Sequence, residues 1–199
     1  MTSKGGSHAA LFLCEAAMKI SLRDATVADI PAITAIYRES VLNGIGTYEL
    51  EPPTEAEMLS RFETVTRQNF PYLVAMNEAG NVVGYAYGSP FRTRPAYRYL
   101  VEDSIYVAAD GRGMGVGSML LDALMSRSAE LGLRQMIAVI GGGNPASVAL
   151  HERAGFKHVG RMPASGFKFG QWVDTVLMQL ELGEGATTLP AAEPNLRQP

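Results

Sequence analysis

Four groups of residues in this chain combine types and spacings that suit chemistry. Glu102, followed by Asp103 and Ser104, stands between two apolar and aromatic triplets in Tyr99-Leu-Val-Glu102-Asp-Ser-Ile-Tyr-Val107. A carboxylate there faces either solvent or a cleft. Burial would raise its pKa and make it a better proton acceptor near neutrality. His151 stands in a short helical pattern, where a lone histidine is a packing or surface residue unless a reacting group lies beside it. Pro90-Phe-Arg92-Thr-Arg94-Pro-Ala-Tyr97 sets two guanidinium groups beside aromatic rings. As a site, such forks suit a carboxylate and a second anionic or strongly polar group; otherwise the stretch is a solvated basic loop. Finally, Val107-Ala-Ala-Asp-Gly-Arg112-Gly113-Met114-Gly115-Val116-Gly117-Ser118 runs from a strand pattern into an apolar-periodic helix. Either it is a plain tight connection, or its free N–H groups and helix dipole receive an anion such as a diphosphate. It lacks the lysine of a nucleoside-triphosphate loop.

The elements that must position these groups follow from periodicity. Ile20 to Arg23 alternates as a short strand. Thr26-x-x-Asp29 resembles a capping box, with Ile30, Ile33, Ile36, Tyr37 and Val41 marking the helical face that follows. Thr54-x-x-Glu57 caps a second helix through about Gln68. Tyr72–Met76 and Val82–Tyr87 form a hairpin, and Tyr99–Val107 is a strand leading into the glycine-rich turn and a helix over 116–131. Met136–Ile140 is a buried strand, and a helix over 146–154 ends at Gly155. Phe156–Arg161 and Trp172–Leu180 complete the sheet. By strand period Asp103 faces away from Glu102 and is structural.

The chain has 199 residues, 47% apolar and 19% charged, with a formal net charge of −3. One domain is expected, and the weakly acidic balance argues against a general nucleic-acid binder. The single cysteine, Cys14, cannot close an internal disulfide, no His/Cys cluster has metal-ligand spacing, and a cytoplasmic setting is the default. The apolar stretch 9–17 is interrupted by Glu15 and too short to span a bilayer, so no membrane association is expected. Residues 1–17 read as a disordered extension, 18–182 as the domain, and 183–199 as a flexible tail.

Arg112-x-x-Gly115-x-Gly117 after the fourth strand, and Asn144…Ser147…His151-Glu-x-x-Gly155-Phe156 after the fifth, resemble the GNAT acetyltransferase superfamily. Within it, Arg94-x-x-Tyr97, Val101-Glu102-x-Ser104-Ile105-Tyr106-Val107, Ala138-Val-Ile-Gly141, Ser147-Val-x-Leu-His151-Glu and Gly166-Phe-Lys168-x-Gly170-x-Trp172-x-Asp174 are similar to the phosphinothricin/methionine sulfoximine acetyltransferase group. The likeness covers about residues 18–182. It implies an α+β fold, a mixed, mostly antiparallel sheet flanked by helices and splayed around an acetyl-CoA site. It further implies Glu102 as the base and His151, where many members carry a tyrosine, as an acid or relay. The backbone of Ile105, Tyr106 and Val107 would meet the pantetheine arm, and Arg112, Gly113, Met114, Gly115, Val116, Gly117 and Ser118 the diphosphate. Asn144, otherwise simply a helix cap, would also touch the cofactor. Tyr48, Arg92, Arg94 and Tyr97 would hold a small amino-acid-like amine, and a homodimer is implied. Another metabolite amine or a protein N-terminus as acceptor, and a non-catalytic acyl-CoA sensor, are the competing readings.

Overall fold

A computed structural model describes residues 19–197; the expected extension over 1–17, with Cys14, lies outside the described residues. Seven strands form one sheet in the order β1-β2-β3-β4-β5-β7-β6, with two helices on each face. In chain order these are β1 (Ser21–Asp24), α1 (Ile30–Asn43), α2 (Glu55–Arg67), β2 (Tyr72–Met76), β3 (Val82–Pro90), β4 (Leu100–Val107), α3 (Val116–Glu130), β5 (Gln135–Gly141), α4 (Pro145–Arg153), β6 (Lys157–Lys168) and β7 (Gln171–Glu181). Every neighbouring pair is antiparallel except β4 and β5. This is the expected mixed, helix-flanked α+β sheet.

Local chemistry accounts for the elements. The Thr54 N–H donates to Glu57 Oε2 at 2.7 Å while the Glu57 N–H donates to Thr54 Oγ1 at 3.3 Å, so two otherwise unpaired donors at the start of α2 are satisfied together. At Thr26-x-x-Asp29 a short 3-10 turn precedes α1, and Asp29 accepts from the Thr26 N–H and from both ends of the Arg23 guanidinium. Along β2 the side chains alternate. Leu73 and Ala75 join α3 and α4 on one face, and Tyr72 and Val74 join α1 and α2 on the other. Leu120, Leu121 and Leu124 of α3 are fully buried, each contributing roughly 1.5–3 kcal/mol of apolar burial. Gly84 lets α3 lie this close to β3, since a Cβ there would stand 2.9 Å from Val116 Cγ1.

One segment departs from the expectations. Strand β6 does not stop at Arg161 but continues to Lys168, so Gly166–Lys168 belongs to a long β6–β7 hairpin. The register slips between Met162 and Gly166, where Ala164 has φ +49°. Residues 183–197 form no helix or strand, yet they lie against the body. The Asn195 N–H donates to the Leu131 carbonyl at 2.8 Å, the Arg197 N–H to the Gln68 carbonyl at 3.0 Å, and Glu193 pairs with Arg98. Among the described residues no helix is long and apolar enough to cross a membrane.

The feature that creates a site is the parallel pair. β4 pairs with β3 along its length, from Gly84–Val107 to Pro90–Val101. With β5 it pairs only from Leu100–Gln135 to Glu102–Ile137. Beyond Glu102 the two strands part, and the edge of β4 that faced β5 is open.

Candidate active site

The fork between β4 and β5 opens into a cleft of about 1030 Å³ that the glycine-rich turn, α4 and the segment after α1 enclose. Glu102, His151, Tyr48, Ile105, Tyr106, Val107, Arg112, Gly113, Gly115, Val116, Gly117, Ser118 and Asn144 all line it. Met114, Arg92, Arg94 and Tyr97 do not. Met114 is exposed beside the turn, and the other three sit on the exposed loop after β3.

Gly113 and Gly115 take φ of +76° and +79°, a region side chains disfavour. That turn presents the first N–H groups of α3, which lack intrahelical acceptors, to the cleft. With the helix dipole, N–H groups arranged this way suit an anion. Arg112 bonds the Val107 carbonyl at 3.2 Å and pairs with Glu39 at 2.5 Å, so its charge stays at the cleft mouth. Asn144 caps α4, its Oδ1 accepting from the Ala146 and Ser147 N–H groups at 3.0 and 3.2 Å.

Glu102 is half-buried at the last paired position of the fork. Its carboxyl is pushed up to about 7, first by burial and then by the charge of Asp103, against a smaller pull downward from Arg92. It shares its face of β4 with Ser104 and Tyr106, next to a stack of tyrosines. Ring centroids lie 4.9 Å apart for Tyr72–Tyr87 and 5.1 Å for Tyr85–Tyr106. Although outside the cleft lining, Arg92 thus acts on Glu102 through its charge. Its guanidinium stacks over Phe91 at 5.0 Å.

His151 is buried, with Nε2 3.0 Å from Asp103 Oδ2 and Nδ1 2.7 Å from the Ser147 carbonyl oxygen. Burial alone would lower its pKa. The hydrogen bond and charge of Asp103, with the Ser147 carbonyl, outweigh that and leave it above the ordinary imidazole value. Asp103 was expected only as a structural residue on the far face. It does lie on that face, and there it holds His151.

Tyr48 walls the cleft with its hydroxyl fixed. It donates to the Asp174 carbonyl at 2.9 Å, lies 2.7 Å from Thr175 Oγ1, and accepts from the Gly142 N–H at 3.4 Å. Lys168 belongs to the Gly166–Trp172 segment, which by its sequence caps the pocket or lies at a subunit contact. It is only 2% exposed, and its Nζ donates to the Thr47 carbonyl at 2.8 Å, tying the β6–β7 hairpin to the segment that carries Tyr48. Burial lowers its pKa, with Glu49 opposing. Among the described residues no group of three His, Cys, Asp or Glu side chains is placed to hold a metal.

A sheet that splits after the fourth strand, over a glycine-rich helix start, defines a class. Residues 33–156 match the model of the acetyltransferase (GNAT) family, and the chain belongs to that family. It is an acetyl-CoA-dependent N-acetyltransferase. More particularly, it is 48% identical over 163 residues to the phosphinothricin N-acetyltransferase of Alcaligenes faecalis, covering 81% of this chain and 82% of that one. It is 46% identical over 165 residues to the L-methionine sulfoximine/L-methionine sulfone acetyltransferase of Pseudomonas aeruginosa, covering 83% and 96%. Among solved structures, a phosphinothricin acetyltransferase from Sinorhizobium meliloti in complex with AcCoA superposes with a TM-score of 0.85. It is 57% identical, covering 86% of this chain and 93% of that one.

Proposed function

We propose that this enzyme moves the acetyl group of acetyl-CoA to the α-amine of a small amino-acid analogue of the phosphinothricin, methionine sulfoximine or methionine sulfone type. The amine attacks the thioester directly, and Glu102 takes its proton. The observation that carries the mechanism is Glu102 itself, a half-buried carboxylate at the fork with its pKa near 7. A base works best when its pKa lies near the operating pH. The acceptor class is supported by the two curated relatives and by the basic loop whose Arg92 bears on Glu102. Arg92 and Arg94 bind the acceptor's carboxylate and its second polar group, with Tyr97 and Tyr48 as walls. Ile105, Tyr106 and Val107 bond the pantetheine arm, and the Arg112–Ser118 turn and Asn144 hold the rest of the cofactor.

The same reading makes the enzyme a cytoplasmic homodimer. Phe167, Phe169 and Trp172 on the β6–β7 hairpin are 56%, 57% and 68% exposed, an apolar surface that suits a second copy of the hairpin.

The test is acetyl-CoA-dependent thiol release with phosphinothricin, methionine sulfoximine, methionine sulfone, ordinary amino acids, polyamines and an N-terminal peptide, with product masses checked. Selective turnover of the first three is expected. Preference for a polyamine or the peptide would remove the acceptor assignment. Acetyl-CoA binding without turnover of any amine would favour a sensor.

A further inference from the structure

The clamp on His151 goes unused in the reaction as described so far. A carbonyl oxygen cannot donate, so the 2.7 Å contact with Ser147 requires a hydrogen on Nδ1. The Nε2 contact with Asp103 Oδ2, at 3.0 Å, requires one further proton between the two atoms. The side chains of His151 and Asp103 are 4% and 3% exposed, and the ring of Phe156 packs edge-on against the imidazole, 4.9 Å between centroids. The ring is therefore fixed in orientation and has no lone pair to offer. Asp103 Oδ1 has no hydrogen-bond partner among the described residues. A buried carboxylate left with one bare oxygen needs a cation on the other.

Position gives this pair its consequence. Asp103 is the first residue of β4 beyond the last pairing with β5, immediately after Glu102 and on the opposite face. His151 reaches it from α4, across the fork, and both residues line the cleft. Resting on Glu102 as the proton acceptor, we propose that Asp103 is a positioning residue for acetyl transfer. It holds His151 doubly protonated and in one orientation at the point where β4 and β5 part, so the thiolate leaves beside a fixed cation. In the step itself the amine nitrogen bonds to the thioester carbon and its proton passes to Glu102. The C–S electron pair leaves on sulfur. The imidazolium offsets that charge without giving up a proton; the thiolate takes a proton from water, and the hydroxide left is neutralised by the proton that Glu102 returns to solvent.

The groups bearing on the ring are few. Asp103 acts directly from β4, and Glu102 is the next carboxylate along that strand. On α4, Glu152 is engaged by His158 at 3.0 Å, while Arg153 lines the same cleft. β5 contributes only Ala138, Val139, Ile140 and Gly141 to the cleft. The ring's charge is thus controlled by Asp103.

Asp103→Asn keeps the shape and a hydrogen bond but removes the charge. We expect kcat at pH 7 to fall at least about tenfold while the KM for acetyl-CoA stays within about threefold, because the strand edge and glycine turn are untouched. The acid limb of kcat against pH should move to lower pH, since the charge of Asp103 is one of the causes holding Glu102 up. Ring-nitrogen NMR of the wild-type enzyme should show both His151 nitrogens protonated at pH 7.5, and the variant only one. A folded variant with unchanged kcat and an unmoved limb would reduce the pair to a structural clasp and overturn the proposal. So would a neutral wild-type ring, a measurement that needs no variant and stands even if Asp103→Asn does not fold. If the wild-type enzyme acetylates no amine, the Glu102 reading fails separately, and the ring signals still report whether the pair exists.

Discussion

Replacing Glu102 by Gln should make the enzyme slower and more stable at once. The carboxyl rises from 4.5 to about 7 on folding, so between those values the folded chain binds a proton that the unfolded chain does not. Stability from this group is present at low pH and is lost as pH rises through the folded value. A rise of this size corresponds to about 3 kcal/mol, and partial contact with water reduces it to roughly 2 kcal/mol at pH 8. Glutamine has no such charge to bury. Glu102→Gln should therefore gain roughly 2 kcal/mol at pH 8, raising Tm by about 4–8 °C, and nothing at pH 4. Loss of the base should lower kcat by about 10²–10⁴-fold, with acetyl-CoA affinity unchanged. In the wild-type enzyme, kcat should climb tenfold per pH unit and level off near 7. Calorimetry at the two pH values, with steady-state kinetics and a direct acetyl-CoA titration, reads all three quantities. A variant with wild-type turnover would refute the base. One less stable at pH 8 than the wild type would refute the buried-charge reasoning.

Asp29 is held down to about 2, chiefly by its hydrogen bond with Arg23, so its contribution is present above the ordinary carboxylate value and disappears as pH falls toward 2. Asp29→Asn should cost about 1–2 kcal/mol at pH 7, with Arg23 partly in water, and the difference from wild type should shrink below pH 4 in denaturant titrations. Gly115→Ala meets no atom within 4 Å, so its effect should come from φ +79° alone. About 1 kcal/mol of strain at the helix start and several-fold weaker acetyl-CoA binding by calorimetric titration are expected. Trp172→Glu should convert a dimer into a monomer by light scattering; a monomeric wild-type protein would remove the hairpin interface.

What could be read from the chain was local. Thr54 and Glu57 announce a helix start because both capping partners lie within one turn, and the unbroken apolar run Tyr72–Met76 announces a buried strand because successive side chains of a strand point to opposite faces. The glycine-rich turn was legible for the same reason. The splaying of the sheet came only from the family resemblance, because where β4 leaves β5 depends on pairing between strands joined by a whole helix. The period of β4 assigned Asp103 correctly to the far face. Nothing nearby in sequence said that His151, on a different element, would meet it there. Lys168 was visible as a motif residue, but its partner is a backbone carbonyl at Thr47, which carries no side-chain signal. The composition of 183–199 reads as a flexible tail, and the backbone groups and exposed charges by which 183–197 meets Arg98, Gln68 and Leu131 leave no pattern in the sequence.

Asp103, His151 and Ser147 together could be mistaken for a nucleophilic triad, which would imply an acetyl-enzyme intermediate. The geometry argues otherwise. A triad histidine must turn a lone pair toward the hydroxyl it deprotonates. Here Nδ1 is the nitrogen on the serine side, and its hydrogen is committed to the Ser147 carbonyl at 2.7 Å. The Ser147 hydroxyl lies 3.5 Å away, beyond a useful hydrogen bond. The serine therefore has no base, and it offers the acetyl group no place to rest between donor and acceptor. Ser147→Ala should keep kcat within about twofold, since loss of a hydroxyl without a role in the transition state leaves the barrier unchanged. The wild-type enzyme mixed with acetyl-CoA alone should release no burst of free thiol, and no mass increase of one acetyl group should appear on the protein. A stoichiometric burst that Ser147→Ala abolishes would establish the covalent route and displace direct attack by the amine.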